Sequence, residues 1–235
     1  MKIRLYFKEL ISEGLSLTLP KDESHYIKNV MKCQSGDTIF LFNEKCGEFE
    51  GKVIVEGKNV SVKLTKLLKN PEEPAGLNLF LVFSLIKNSA VSEILDKTTQ
   101  IGIAGFFPIT TKHSVVHHFS KERADKIIIE ACEQSERISV PFLKEVASFE
   151  KFISANANET IIFCDETLEF SKENILTEKL SGDVYLMIGP EGGFSGSERE
   201  AISSLPHVKR ISLGKNILRA ETASICASFL LNYFN

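Results

Sequence analysis

The residues best suited to chemistry lie in two stretches toward the carboxyl end of the chain. The first reads MIGPEGGFSGSERE, with Gly189, Gly192, Gly193 and Gly196 crowded between an apolar run that ends at Ile188 and a segment of helical composition. Glycines at that density let the backbone take positive φ and approach a ligand closely, offering N–H and C=O groups at the start of a helix. Such a turn either cradles a nucleotide or nucleoside or is a bare structural turn. It has no G-K-[ST], so no Walker lysine meets a γ-phosphate, and it has no G-x-G-x-x-G with a following ribose-binding acid. The second stretch, SLGKNILRAETASICASFLL, places Arg219 and Glu221 between a glycine turn and a strongly apolar helix, where water is scarce. That pair either closes the helix start, with Glu221 favoured by the macrodipole and paired to Arg219, or acts on a bound substrate.

Both stretches need a scaffold that brings them together. From residue 77 onward the chain alternates apolar runs (LNLFLVFSL, FFPITT, ETIIFCD, DVYLMIG, VKRISLG) with amphipathic segments over residues 90–102, 119–137 and 195–204 and a final apolar helix over 222–234. Strands separated by helices predict an α/β domain with a parallel sheet covered on both faces. Ligands in such sheets bind beyond the carboxyl ends of the strands, and both glycine turns follow strands. Ahead of this region, NPEEPAG at residues 70–76 reads as a linker, because its prolines remove backbone donors and fix φ. The division is therefore 1–70 and 71–235.

In the smaller part KIRLYF, DTIFLF, GEFEGKVIVEG and NVSVKLTKLL alternate apolar and polar residues, which predicts short antiparallel strands closing into a small β-barrel. One helix interrupts them over residues 24–32, with Ser24 or Asp22 as its N-cap. His25, Lys28 and Lys32 then share one face at i, i+3 and i+7, beside Tyr26 and Asn29. That face is either simply solvated or touches phosphates together with Arg4 and Lys8 of the first strand.

The 235 residues have ordinary globular composition, 43% hydrophobic and 25% charged, with a net charge of -3. The balance is uneven: residues 1–70 hold 12 Lys/Arg against 9 Asp/Glu, while residues 71–235 hold 16 against 22. The basic surface needed for nucleic acid is thus concentrated in the small part. Five scattered cysteines with no C-x-x-C point to a reducing, cytoplasmic setting. No stretch of about 18 apolar residues marks a membrane span. His113, His117 and His118 have no acid or cysteine at ligand spacing, so no metal is expected. Cys132 and Cys226 read as small core residues. With no tryptophan, base stacking falls to residues such as Tyr6, Tyr26 and His25.

GPEGGF followed about two dozen residues later by LGKNILRAETA resembles the RsmE family of SPOUT-type rRNA methyltransferases. The likeness extends to LYF near the amino end, HYIKNVMK with GDTIFLF, and ACEQSER followed by Val140 and Pro141. The resemblance implies an N-terminal PUA-like barrel that holds RNA and a C-terminal domain whose last segments form a trefoil knot. It also implies a homodimer, S-adenosylmethionine (SAM) as methyl donor, and N3 of one uridine in the decoding region of 16S rRNA, within the small ribosomal subunit, as acceptor. Carried over by motif, the cofactor loops are Ile188, Gly189, Pro190, Glu191, Gly192 and Gly193, and then Leu213, Gly214, Ile217, Leu218 and Arg219. Arg219 takes the role of orienting the uracil carbonyls and stabilising the developing N3 anion, with Glu221 as a candidate base. RNA contacts fall to Arg4, Tyr6, His25, Lys28 and Lys32. Gln134 and Arg137, at i and i+3 of a helix end, contact RNA, close the dimer, or only cap and solubilise that helix.

The chain departs from the family pattern at Gln100, where glutamate is usual, at Ile101 and Ile103, and at Asn216 in the KNILR turn. A neutral amide keeps hydrogen bonds but not charge. Two competing readings are an inactive RNA-binding ribosome-assembly factor and a related methyltransferase acting on tRNA or a ribose hydroxyl. The intact GPEGG and ILRAET loops argue against the first.

Overall fold

A computed structural model describes residues 2–72, 76–115, 119–171, 174 and 179–234. The chain divides into two compact units, Met1–Glu73 with Cys132–Val140, and Pro74–Ala131 with Pro141–Asn235. A cut at residue 70 would leave Cys132–Val140 with the larger part, yet these nine residues pack with the first unit.

The first unit is a five-stranded sheet built from β1 (Arg4–Tyr6), β2 (Ser16–Thr18), β3 (Thr38–Asn43), β4 (Gly47–Glu56) and β5 (Asn59–Lys69), in the order β1-β3-β4-β5-β2. The pairings β3–β4, β4–β5 and β5–β2 are antiparallel, but β1 runs parallel to β3 with Leu5 opposite Leu41. The all-antiparallel expectation is corrected there, and β2, too short to show periodicity, was not legible. Alternation puts Leu41, Phe49, Val53, Val60, Val62 and Leu64 on the inner face around Ile27, which is wholly buried.

The helix expected over residues 24–32 begins earlier. Helix α1 (Lys21–His25) starts behind Pro20, whose fixed φ suits a helix entry, and widens into a π-helical turn over Tyr26–Val30. Neither Ser24 nor Asp22 is the cap. Ser24 is buried, and its hydroxyl donates to the Leu19 carbonyl at 3.0 Å. Lys32 lies past the helix in left-handed backbone (φ 58°), so it does not continue the His25–Lys28 face.

The second unit carries a seven-stranded sheet in which every pairing is parallel. Its strands are β6 (Leu77–Ser84), β7 (Gly105–Thr110), β8 (Phe142–Leu143), β9 (Ala147–Ser148), β10 (Thr160–Cys164), β11 (Gly182–Ile188) and β12 (Val208–Ile211). Their order is β12-β10-β11-β6-β7-β8, with β9 also paired to β7. Both faces are covered, which explains the unbroken apolar runs. Phe80, Val82, Ile161, Phe163, Tyr185 and Met187 pack on one face with α4 (Phe149–Ala155) and α5 (Gly196–Ser203), through Phe149, Phe152 and Ile202. The other face, with Leu81, Phe83 and Leu186, is covered by α6 (Ala220–Tyr233), which itself packs on α2 (Asn88–Ile101). Helix α2 ends at Gly102, in left-handed backbone at the C-cap. Helix α3 (Lys121–Ser135) runs from the second unit into the segment counted with the first.

Candidate active site and RNA-facing residues

The two glycine turns follow β11 and β12, consecutive strands in the chain that flank β10 in the sheet. They meet, as their succession in the chain suggests. The carboxyl ends of all three strands open on one cavity of about 510 Å³, lined by residues 164–170 after β10, by Ile188, Gly189, Pro190, Glu191 and Gly193 after β11, and by residues 212–218 with Ala220 and Ala223 after β12. That volume lies within the range of about 300–1,000 Å³ common to small-molecule sites. Leu213, Gly214, Ile217 and Leu218 belong to the wall, with Ile217 82% exposed at the mouth. Gly192 and Arg219, expected in the same lining, are not part of it.

Local chemistry fixes the glycine turn. Gly193 N–H donates to Pro190 O at 2.8 Å and closes a four-residue turn. Gly193 has φ +65°, and a Cβ there would strike Glu166 Oε1 and lie 2.9 Å from an Arg199 guanidinium nitrogen, so only glycine suits the position. Helix α5 then starts with a capping box: Ser195 Oγ accepts from Glu198 N–H, and Glu198 Oε2 accepts from Ser195 N–H at 2.7 Å. From the loop after β7, His113 Nδ1 stands 3.1 Å from Gly192 O and 2.9 Å from Gly193 O. Gly192 thus turns toward His113 instead of the cavity.

The segment after β10 is the part of the site that sequence reasoning missed. Asp165, 2% exposed, accepts from Thr167 N–H and Oγ1, from Arg199 Nη1 at 2.5 Å, and from Arg210 Nε at 2.9 Å and Nη2 at 2.6 Å. Burial alone would raise its carboxyl. The Thr167 hydrogen bonds and the two guanidiniums outweigh that and hold it below the usual carboxylate range. Arg199 also pairs with Glu166 and donates to Phe194 O at 3.0 Å, so one side chain braces the β10 loop against the glycine turn. The available signal was an acid placed directly after the buried strand TIIFC.

Arg219 is the N-cap residue of α6 with extended backbone, exposed, and makes no side-chain capping bond. Glu221 is half-buried in the first turn of α6. Of the two readings of Arg219 and Glu221, the helix-start ion pair does not form: among the described residues neither side chain has a hydrogen-bond or ion-pair partner. Gln100 donates to Asp96 on the surface of α2 and is remote in sequence and lining from the cavity. Cys226 is exposed rather than in the core, whereas Cys132 is buried and its thiol is pushed up to about 11 by that burial. His117 and His118 lie outside the described residues, among which no cluster of three metal-ligating side chains occurs.

The residues assigned to RNA fare unequally. Arg4 is 4% exposed, ion-paired to the wholly buried Glu48, donates to the carbonyls of Cys132 at 2.6 Å and Arg137 at 2.8 Å, and lies 3.6 Å over the Phe42 ring. All three of its guanidinium nitrogens are engaged inside the first unit, so it is corrected to a structural residue. Arg137 is half-buried and donates to Ser139 Oγ at 2.9 Å, which also withdraws it from a free surface role. Tyr6 is half-buried against Phe42, and its hydroxyl is pushed up to about 12, first by burial and then by Glu44. His25 is exposed and bonded to Asn29 at 2.9 Å, Lys28 donates to Gly57 O, and Lys32 and Gln134 are exposed.

With this geometry in place the relatives can be compared. An RNA methyltransferase domain matches residues 72–232, and an RNA methyltransferase PUA domain matches residues 19–65. Ribosomal RNA small subunit methyltransferase E of Rickettsia conorii is 34% identical over 95% of this chain and 92% of its own length. The Bacillus subtilis protein of that name is 28% identical over 96% and 93%. Among solved structures, a putative methyltransferase from Legionella pneumophila in complex with SAM superposes with a TM-score of 0.88 at 27% identity, covering 98% of this chain and 97% of that one. Ribosomal RNA small subunit methyltransferase E from Neisseria gonorrhoeae, bound to S-adenosyl methionine, gives 0.85 at 25% identity over 97% and 95%. A parallel α/β unit with a cavity at its strand ends, a PUA-like partner unit, and relatives alike over nearly their whole length lead to one assignment: the chain belongs to the RNA methyltransferase family, alongside the ribosomal RNA small subunit methyltransferase E proteins.

Proposed function

We propose that this protein methylates N3 of a specific uridine in 16S rRNA, using SAM held in the cavity at the carboxyl ends of β10, β11 and β12. The cavity carries the reading. Its size, its apolar walls from Ile188, Leu213, Leu218 and Ala223, and the main chain of two glycine turns fit an adenosine with a folded amino-acid tail. With Glu166 paired to Arg199, Glu169 and Glu191 against Lys215 leave the lining slightly acidic, which a cationic ligand favours. When bound, SAM supplies a methyl carbon made electrophilic by the attached sulfonium.

The chain's own groups hold the acceptor in line with that carbon, and such positioning supplies effective molarities of about 10⁵ M or more. Arg219, free of other partners beside the cavity-lining Leu218 and Ala220, orients the uracil carbonyls and stabilises the developing N3 anion. Glu221, two residues on, accepts the N3 proton, a general-base role that adds typically about 10²- to 10⁴-fold. N3 lies on the Watson–Crick edge, so the uridine is splayed from its stack. His25, Lys28 and Lys32 of the PUA-like unit, with Tyr6 and Gln134, grip the surrounding RNA within the small subunit.

Further parts of the reading concern assembly. The loops around β10, β11 and β12 thread as a trefoil knot, supported by the order β12-β10-β11, in which the last strand returns beyond the first. The protein acts as a homodimer, supported by Phe229, Leu230, Tyr233 and Phe234, which α6 and its C-cap leave 45–75% exposed. Five unpaired cysteines suit the cytoplasm, and no helix among the described residues is long and apolar enough to cross a membrane.

The test is calorimetric titration with SAM to millimolar concentration, joined to mass spectrometry of rRNA nucleosides from a deletion strain. Micromolar binding and loss of 3-methyluridine are expected. Absence of binding overturns the enzyme reading, and an unchanged 3-methyluridine content overturns the assigned product.

A further inference from the structure

The loop after β7 holds the glycine turn through two consecutive residues. Lys112 N–H donates to Glu198 Oε1 at 2.8 Å, which ties the loop to the capping box of α5. His113 then sets its ring against Gly192, so closely that a Cβ on that glycine would lie 3.2 Å from the His113 Cβ. Its Nδ1 faces the Gly193 carbonyl at 2.9 Å and the Gly192 carbonyl at 3.1 Å. A carbonyl oxygen only accepts, so the hydrogen resides on Nδ1 and is shared between the two. The loop that presents the ring is itself fixed. Thr111 N–H donates to Ser114 Oγ at 2.8 Å, and the buried Ser84 hydroxyl at the end of β6 meets Thr111 Oγ1 and Ser114 Oγ, each at 2.8 Å.

His113 does not line the cavity, whereas Gly193 does. A glycine turn has many accessible conformations, and ligand affinity falls by the fraction of time the turn spends in the competent one. We infer that His113 is a positioning residue for the cofactor site, its Nδ1–H holding two consecutive carbonyls so that the turn keeps its ligand-binding shape. This rests on the proposed SAM site.

The imidazole offers a specific test, because its two nitrogens are mimicked by different amides. Asparagine attaches its amide nitrogen to Cγ, as histidine attaches Nδ1, while glutamine carries its own one carbon further out, near the place of Nε2. Full-length wild type, His113→Ala, His113→Asn and His113→Gln are titrated with SAM by calorimetry, and KM for SAM and kcat are measured on small subunits from a deletion strain. Loss of the shared hydrogen bond in H113A weakens SAM binding about tenfold, with KM rising in parallel and kcat at saturating SAM nearly unchanged. H113N recovers affinity to within about threefold, and H113Q behaves like H113A. Because His113 is exposed and only this shared hydrogen bond is lost, all three variants remain folded, and the ligand-free melting temperature falls by no more than about 2–4 °C. Unchanged SAM affinity in H113A overturns the inference, as does a kcat that H113Q restores and H113N does not, since that places the function at Nε2. Failure of the wild type itself to bind SAM overturns the proposed function instead, so the two failures are distinguishable.

Discussion

Replacing Gly193 by alanine tests the glycine turn against a matched control elsewhere in the chain. Gly193 and Gly57 have nearly the same backbone, φ +65° and +59°, but a Cβ meets nothing within 4 Å at Gly57, whereas at Gly193 it runs into Glu166 and Arg199. Left-handed backbone costs a non-glycine residue about 1–2 kcal/mol, which is the whole expectation for Gly57→Ala. At Gly193 the obstructing atoms are the tips of two flexible side chains. They swing aside only by giving up their ion pair, whose side chains are 20% and 33% exposed. A partly screened pair of this kind is worth about 0.5–1 kcal/mol. Gly193→Ala therefore costs about 1.5–3 kcal/mol in urea denaturation, about 0.5–1 kcal/mol more than the control, and it weakens SAM binding because Glu166 and Gly193 both line the cavity. In a Glu166→Ala background the excess disappears, since no ion pair remains to be given up and the Arg199 tip, 2.9 Å from the added Cβ, needs only a small shift. Equal losses for G193A and G57A, or an excess that persists without Glu166, would refute this account of the turn.

Other outcomes follow from the same geometry. Glu48→Gln leaves the buried Arg4 without its counter-ion and destabilises the first unit by about 3–5 kcal/mol in denaturant titrations at neutral pH. Burial alone would raise the Glu48 carboxyl, but Lys2 and Arg4 hold it below the usual range. Its contribution is thus complete above the ordinary glutamate value of about 4.3 and is lost as pH falls through the lowered folded value, so wild type and E48Q converge in acid. Arg219→Ala lowers kcat by about 10²- to 10³-fold while SAM affinity stays within a few-fold, as calorimetry beside single-turnover methylation would show; equal loss of both would place Arg219 in the cofactor site. Lys28→Ala weakens RNA binding in filter assays and reduces the slope of log K against log salt by about 0.7–0.9, and an unchanged slope would remove Lys28 from the phosphate contacts.

The walls of the cavity after β11 and β12 were legible because their signals are local. Four glycines in a short span and apolar runs of strand length each report on residues near them in sequence. What was not legible depends on pairing across distance. Arg4 reads as a surface cation until Glu48, 44 residues on, and the carbonyls of Cys132 and Arg137 are found around it. Asp165 reads as a loop acid until Arg199 and Arg210 close on it. The parallel β1–β3 pairing leaves no periodic trace, because alternation looks the same in either strand direction. The helix start was misplaced for a related reason: Ser24 has the chemistry of a cap, but Leu19 O takes its hydroxyl, and Pro20 sets the entry.

The nine residues Cys132–Val140 make the first unit discontinuous in the chain. No single scissile point therefore separates two complete pieces. A fragment ending in the proline-rich stretch at residues 70–76 retains Arg4 and Glu48 but loses the two carbonyls that accept from Arg4 Nη1 and Nη2, along with Glu133, which accepts from the Tyr6 N–H. It also strands Glu72, whose carboxylate accepts from the Ile138 and Ser139 N–H groups. The PUA-like unit is thus not a cassette that can be lifted out or exchanged by recombination at one boundary. Any graft must carry both segments, and during synthesis the unit is finished only after the first two strands and two helices of the other have been made.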